Sequence, residues 1–412
     1  MSGTGASSDR YKLYGLMPAW FANRGPDCGM VISTRIRLAR NLAEHKFPPH
    51  ASSKEKQAIF KDVTSAFSDP LFSDFVIVNF GRLPKIEQHF LAEERRVSMD
   101  MLKGEGERGV VCDLPGRFSV MINEEDHLRI QGMDSGFHTE RLWKAVDQFD
   151  DAIGKRLKYA YSERLGFLTA CPTNSGTGLR VSYLMHLPGL VLTKAIDPVL
   201  QGASQMGIST RGFFGENSDV VGNFFQLSNQ ATMGASETEF IESTSKTIQE
   251  IITHERGARE RLLKDAKSEV SDKVWRAHGI LSNARMLSVT ELLSLTSAIR
   301  LGIDCEIYDE LTIDDINKLV MISMPAHLQV YMTDKGGYEE LDEARADVAR
   351  QAFTSGEKEK NAPVEDKAVE DKVVEKKVPE KKVTKQKVVE NKAVKKKAVK
   401  KKTRKPASDI PA

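Results

Sequence analysis

A thiol, Cys171, heads the loop Cys171-Pro-Thr-Asn-Ser-Gly-Thr-Gly178, and Arg180 follows just beyond it. Loops of this composition turn tightly and expose backbone N–H groups, so a cation beside them makes an anion site. Arg164–Ala170 before the loop has strand character. The apolar run Leu179–Ala195 after it is expected to be a helix with Arg180 in its first turn, and a helix N-terminus would also lower the pKa of the thiol. The other interpretation is a strand–turn–helix corner around a buried structural cysteine. A second cluster, Asn123-Glu-Glu-Asp-His-Leu-Arg129, sets three acids, an imidazole and a guanidinium at the end of the expected strand Phe118–Asn123. Strand ends and their loops commonly carry active sites; a plain charged loop and a carboxylate–His127 metal site are the alternatives. No second cluster with ligand spacing supports the metal, so no metal ligand is assigned. A third pair, Arg35 and Arg37, stands two apart in the alternating run Met30–Asn41, which directs both guanidinium groups to one face of a strand. Taken alone, that pair is a solvated strand face. A fourth cluster, Gly207–Asn217, places Arg211 and Glu216 around Gly212 and Gly215. Gly104-Glu-Gly-Glu-Arg-Gly109 matches a dinucleotide fingerprint, but the strand Val110–Asp113 follows it where a helix is required, so it is assigned to a hairpin turn.

The elements that must hold these residues alternate between strands and helices. Residues 54–68 are expected to form an amphipathic helix, Asp74–Phe80 a strand, and Lys85–Arg96 a helix bearing His89. His138–Lys158 is an amphipathic helix leading to the thiol loop, Val220–Leu227 a strand closing the sheet, and Ser236–Lys264 a long helix. From about 259 to 353 the pattern is wholly helical (259–265, 268–281, 288–301, 312–332 and 341–353), without motif residues, which fits a helical docking or dimerisation domain.

The 412 residues exceed one domain of usual size, and the near-neutral charge of +2 conceals an asymmetry. Residues 356–412 hold 19 Lys and Arg against 10 Asp and Glu, while the preceding 355 residues hold 41 against 48. Residues 365–404 divide into eight pentads with Lys in third place, and no aromatic residue occurs after Phe353. A period of five matches neither helix nor strand, so a disordered tail is expected; contact with a polyanion and mere solvation are its two uses. Four scattered cysteines without a CxxC pair argue against a disulfide framework and for a reducing compartment. A polar N-terminus without a signal pattern and the lack of a membrane-length apolar run make the expected location cytoplasmic, with no membrane contact.

Taken together and in order, Ser33-Thr-Arg-Ile-Arg37, Asn123–Arg129, Cys171–Thr177, Arg180 and Arg211-Gly-Phe-Phe-Gly-Glu216 resemble the motifs of the phosphagen (guanidino) kinases over about residues 30–260. Within that family the chain is similar to the bacterial protein-arginine kinases. The resemblance implies an α+β fold with a catalytic domain over 1–258, a mostly antiparallel sheet flanked by helices. A helical docking or dimerisation domain over 259–355 and a Lys-rich tail over 356–412 would follow. It implies ATP and Mg2+, and an intracellular role in protein quality control and stress response. Nucleotide contacts would come from Ser33, Thr34, Arg35, Ile36, Arg37, His89, Arg129, Arg180, Val181, Ser182, Tyr183, Leu184, Arg211, Gly212, Phe213, Phe214, Gly215 and Glu216. Glu125 and Glu216 would clamp the planar fork of the acceptor guanidinium, one of them taking its proton, while Cys171 orients the attacking nitrogen. Residue chemistry agrees. Two like charges about 4 Å apart cost roughly 4 kcal/mol at an effective dielectric near 20, so five converging arginines need an anion.

Three departures qualify the resemblance. Small-molecule phosphagen kinases carry a helical lobe ahead of the first arginine motif, and a start at Ser33 leaves no room for it, which favours arginine within a protein over free arginine. The protein-arginine kinases bind phosphoarginine through an Arg-Asp-x-x-Arg-Ala motif; here it reads Leu341-Asp-Glu-Ala-Arg-Ala346, so Asp342 and Arg345 remain and the pocket is expected to be weakened. The pentad tail has no counterpart. The expected partners are proteins with exposed arginines, an activator protein, a second copy bound through the helical domain, and a polyanion on the tail. The competing functions are a kinase of free arginine or another small guanidine, and a non-catalytic adaptor binding phosphoarginine or nucleic acid.

Overall fold

The computed structural model describes residues 17–213, 220–335 and 340–359. Its strands are β1 (Val31–Arg40), β2 (Phe75–Val78), β3 (Gly109–Asp113), β4 (Phe118–Ile122), β5 (Leu128–Ser135), β6 (Tyr161–Ser162), β7 (Gly166–Phe167), β8 (Leu179–His186), β9 (Ile208–Arg211) and β10 (Phe224–Asn229). The helices are α1 (Ser53–Ala66), α2 (Lys85–Glu93), α3 (Met99–Lys103), α4 (Thr139–Gly154), α5 (Pro188–Leu192) and α6 (Ile196–Gln205). They continue with α7 (Glu237–Asp265), α8 (Lys267–Asn283), α9 (Val289–Asp304), α10 (Ile313–Ile322), α11 (Pro325–Lys335) and α12 (Leu341–Glu359). Several helices start where the sequence provides a reciprocal cap: Ser52 with Glu55, Ser236 with Glu239 and Thr312 with Asp315 each exchange side-chain and backbone hydrogen bonds.

Eight strands form one antiparallel sheet in the order β2-β3-β4-β5-β1-β8-β10-β9, with β6 and β7 as a separate hairpin. Register decides the character of each face. Ile36, Leu38, Ile130, Val181, Tyr183 and Leu227 point to one side and pack with α4 and α7 in the main core. At Gly132 on that side a Cβ would lie 2.3 Å from Val146 of α4, so only glycine lets the helix approach this closely. On the other side the pairings Ala39↔Arg129, Arg37↔Arg180, Arg35↔Ser182, Gln226↔Leu184 and Gln226↔Arg211 align one polar stripe across five strands. Further along the same face, Met133, Leu184 and Phe224 are covered by α8–α12 in a second core that also takes in Trp20, Phe21 and Phe213. Polar bonds tie the two parts: Arg300 donates to Asn317 Oδ1 (2.7 Å) and the Asn317 amide to the Phe21 carbonyl (2.6 Å).

Five expectations need correction, the first being that Gly104–Gly109 joins the helix α3 to β3 and is not a hairpin turn. Leu179–His186 is a strand, and the helix α5 begins only at Pro188, so Arg180 sits on the sheet and the thiol loop leads into no helix. The run is mostly apolar because β8 is a central strand buried on both faces, a pattern that periodicity does not separate from a buried helix. The expected strand over Arg164–Ala170 shortens to Gly166–Phe167. The closing strand is β9, with β10 inside it. The helix expected over 312–332 breaks at Ser323–Met324, where Pro325 starts α11. The tail from 360 onward, and with it the pentads, lies outside the described residues.

Candidate active site

The arginine stripe forms the floor of a cavity of about 1250 Å³, larger than the pocket of one small ligand. Arg35, Arg37, Arg129, Arg180 and Arg211 all line it, together with His89 from α2, Glu125, and Cys171, Thr173 and Asn174 of the thiol loop. Five clusters spread over nearly 180 residues of chain therefore meet in one place. Burial, and then repulsion from Arg95, Arg129, Arg180 and Arg211, pulls the Arg35 pKa well below its ordinary value. Burial, and then Arg35, Arg129 and Arg180, does the same to Arg37. Guanidinium groups do not give up their protons near neutrality, so the crowding is an unfavourable energy rather than a change of protonation. Two more observations agree: Arg37 and Arg180 are like charges directly paired across strands, and Arg37 Nε is a buried donor without an acceptor.

A carboxylate meets the stripe at Arg129. Arg129 donates to Glu124 (2.7 Å), which Ser98 also contacts through its hydroxyl. Burial opposes ionisation of Glu124, but the Arg129 charge and these hydrogen bonds prevail and hold its pKa below the usual carboxylate value.

The acceptor end is built from two loops. The β4–β5 turn presents Glu125 with its side chain 43% exposed, 4.0 Å from Arg129. The second loop is a single 3-10 turn, Pro172–Asn174, preceded by Cys171, whose Sγ lies 3.0 Å from Thr173 Oγ1. Asn174 bridges the loops by donating to Glu125 Oε2 (3.2 Å). Behind them Asp126, almost fully buried, accepts from the Ala170 N–H (2.7 Å) and the Asn41 amide (2.6 Å), while Asn41 Oδ1 accepts the His127 N–H (2.8 Å). His127 Nδ1 accepts from the Leu42 N–H, so its Nε2 carries the proton toward the Lys46 carbonyl. Burial holds this imidazole neutral, with a pKa lowered to about 4. Asp126 and His127 are thus framework for the loop that carries Glu125.

The expected nucleotide contacts separate by face. Ile36, Val181 and Tyr183 point into the main core, and Thr34 spends its hydroxyl on the Gly136 carbonyl (2.6 Å), so none of these four lines the cavity. Ser33, Ser182 and Leu184 share the arginine face but lie beyond the cavity wall, Ser182 Oγ receiving Arg35 Nε at 3.5 Å. Phe213 lines the cavity and Gly212 directly precedes it; Phe214, Gly215 and the proposed clamp residue Glu216 lie outside the described residues. Sequence reasoning missed Arg95, Lys85 and Lys103, three further cations of the lining, and the aromatic pair Trp20 and Phe21. The Arg95 guanidinium lies 5.2 Å from the Trp20 ring and 5.1 Å from that of Phe213, and donates to the Phe213 carbonyl (2.8 Å). Among the described residues no group of three or more His, Cys, Asp or Glu side chains is disposed to hold a metal ion. Nor is any described helix long and apolar enough to cross a membrane.

At the C-terminal end, Arg345 is buried and bound within the protein. Its Nε donates to the Ser323 carbonyl (3.0 Å), and Nη1 to the Leu287 carbonyl (2.7 Å) and to Asp342. Leu341 packs against the second core.

An antiparallel sheet with an arginine face, an acidic turn and a thiol loop defines the fold of the guanidino kinases. Residues 58–258 match the family model of the ATP:guanido phosphotransferase C-terminal catalytic domain. The structure is similar to a lombricine kinase, at a TM-score of 0.50 with 26% identity over 59% of this chain and 70% of that one. The duplicated taurocyamine kinase of Schistosoma mansoni shares the fold at a TM-score of 0.50 and 22% identity, over 61% of this chain and 38% of that one. Residues 267–364 match the model of the protein-arginine kinase McsB C-terminal domain. Among full-length relatives, the protein-arginine kinase of Bacillus subtilis is 38% identical over 81% of this chain and 93% of its own length. That of Halothermothrix orenii is 40% identical over 75% and 89%. The chain belongs to the protein-arginine kinase family.

Proposed function

We propose that this chain transfers the γ-phosphoryl group of ATP to a guanidinium nitrogen of arginine residues in proteins. The observation that carries this reading is the arginine stripe itself: like charges in cross-strand register, a buried donor without an acceptor, and a carboxylate and a thiol at the far end of the same cavity. A triphosphate meets the concentrated positive charge, and phosphoryl transfer needs positive charge around the transferring oxygens above all. A Mg2+ ion bound with the nucleotide would neutralise part of the phosphate charge, and the stripe arginines would neutralise the rest.

At the acceptor end the bond from Pγ to the leaving oxygen breaks as a bond to the guanidinium nitrogen forms. The proton on that nitrogen must leave, because a protonated guanidinium has no free electron pair. Glu125, open to the cavity, receives the fork of the guanidinium and is placed to take that proton; Asn174 holds its other oxygen contact. Cys171, aligned by Thr173, orients the attacking nitrogen. Glu216 is assigned the second arm of the clamp on the family motif.

The test is incubation of the purified protein with labelled ATP and either free arginine or an unstructured arginine-rich protein. Acid-labile, base-stable label on the protein supports the proposed reaction. Label on free arginine alone would make it a small-guanidine kinase, and no label on either would make it a binding protein. We further propose a cytoplasmic enzyme, in keeping with four free cysteines, that dimerises through its helical region, where Trp275, Ile280 and Met286 are exposed. A protein activator and a polyanion held by the Lys-rich tail remain part of the proposal.

A further inference from the structure

Residues 313–335 carry no motif, yet they build one wall of the cavity: Met321 from α10, Met324 from the break, and Ala326 and Gln329 from α11 all line it. Met321 and Met324 belong to the same hydrophobic cluster as Trp20 and Phe213. The cavity therefore has three chemically distinct parts. Guanidinium groups from β1, β5, β8 and β9 occupy the floor, Glu125 and Cys171 the acceptor end, and Trp20, Phe21, Phe213, Met321 and Met324 an apolar, partly aromatic part beside the cations Lys85, Arg95 and Lys103. A nucleotide has the matching division, with an anionic chain at one end and a flat, weakly polar base at the other.

We infer that the C-terminal helical region forms part of the pocket for the nucleotide base, with Met321 and Met324 as its contact residues; this rests on the kinase reading above. The wall is held in place by a latch to α2, the helix that carries His89. Glu93 accepts the N–H groups of Ala326 (2.7 Å) and His327 (3.1 Å) and contacts His327 Nδ1 (2.7 Å). The His327 ring stacks on Phe90 with centroids 3.8 Å apart. From behind, Arg345 of α12 holds the Ser323 carbonyl at the break (3.0 Å). Met324 is thus fixed between a helix that lines the cavity and a helix that does not. Thioether side chains suit such a wall, because they adapt to a flat ring at little strain.

The experiment compares two ligands on the full chain by calorimetry: MgATP, which has a base, and inorganic tripolyphosphate, which has only the anionic chain. Met324→Ala should weaken MgATP about tenfold and leave tripolyphosphate within twofold of wild type. Gln329→Trp, at an exposed position that tolerates bulk without disturbing the core, should crowd the base and give the same split. Equal weakening of both ligands, or unchanged MgATP affinity in both variants, would overturn the inference while the kinase reading stands. A wild-type chain that binds neither ligand would overturn both.

Discussion

The molecule uses buried arginines in two opposite ways. Arg40, at the end of β1, donates to Asp150 from Nε (3.0 Å) and Nη2 (2.7 Å), to the Thr177 carbonyl (2.9 Å), and lies 3.5 Å from the centre of the Phe167 ring. Arg259 is held by Glu255 (2.6 Å), Asp304 (3.1 Å) and the His186 carbonyl (3.2 Å). Arg37, three residues before Arg40 on the same strand, has a buried Nε with no acceptor and a cross-strand arginine for a neighbour. One strand therefore carries a guanidinium that the fold completes and another that the fold leaves incomplete. Glu124 offsets part of the Arg37 charge, but a buried donor without an acceptor still costs free energy, which a bound anion would recover.

The sharpest break of this comparison is a matched pair of substitutions that keep the side-chain stem. Arg37→Met should lower kcat/KM at least 10³-fold, about 4 kcal/mol, by removing a phosphate contact. Its melting temperature without nucleotide should not fall, because a repulsion goes with the charge. A clear loss of stability in that variant would show that Arg37 is structural after all. Arg40→Met should do the reverse. It leaves the Asp150 carboxylate buried without its cation and with only the Tyr159 hydroxyl still donating to it, a loss of about 3 kcal/mol in unfolding free energy. Nucleotide affinity of the protein that remains folded should be unchanged.

The acceptor end sharpens the contrast, since its groups rest on loops that the fold does complete. Glu125→Gln and Cys171→Ala should each cut turnover about 10²-fold, near 2.7 kcal/mol, with the dissociation constant for MgATP within about threefold of wild type. Rapid-quench turnover and nucleotide titration measured together decide it. A Glu125→Gln enzyme at the wild-type rate would remove the carboxylate from the proton transfer.

The two kinds of arginine were unequally legible. Arg35 and Arg37 show their shared face through the alternation of Met30–Asn41, because side chains on a strand repeat every two residues. Arg180 does not show its strand position in the same way, because Val181–His186 is buried on both faces and the run lacks a clean alternation. Its neighbours Ile36, Val181 and Tyr183, taken as nucleotide contacts with the motif, point away from the cavity by the same two-residue rule. The helical wall had no local signal, since Met321 and Met324 carry no chemistry of their own and acquire a role only where the chain folds back onto Trp20 and Phe213. Arg95 likewise gains its place from two aromatic rings distant in sequence.

The smallest expected effect concerns Arg345, which stands where the resemblance implies a phosphoarginine motif yet is completed by the fold, like Arg40. Its Nε and Nη1 are committed to the carbonyls of Ser323 and Leu287 and to Asp342, and it is 1% exposed. A phosphate arriving here would have to compete with those acceptors or find another cation, and Leu341 provides none. Leu341→Arg should add one charge-assisted hydrogen bond at the start of α12, where Asp342 is 43% exposed and solvent screens the gain. The expected increase in affinity for free phosphoarginine is about tenfold, or 1.4 kcal/mol, read by calorimetric titration. The same substitution removes a leucine that packs on the second core, so a small drop in melting temperature should accompany the gain. If the wild type already binds phosphoarginine as tightly as the variant, Arg345 leaves its carbonyls for the ligand, and the division between completed and incomplete arginines fails at this position.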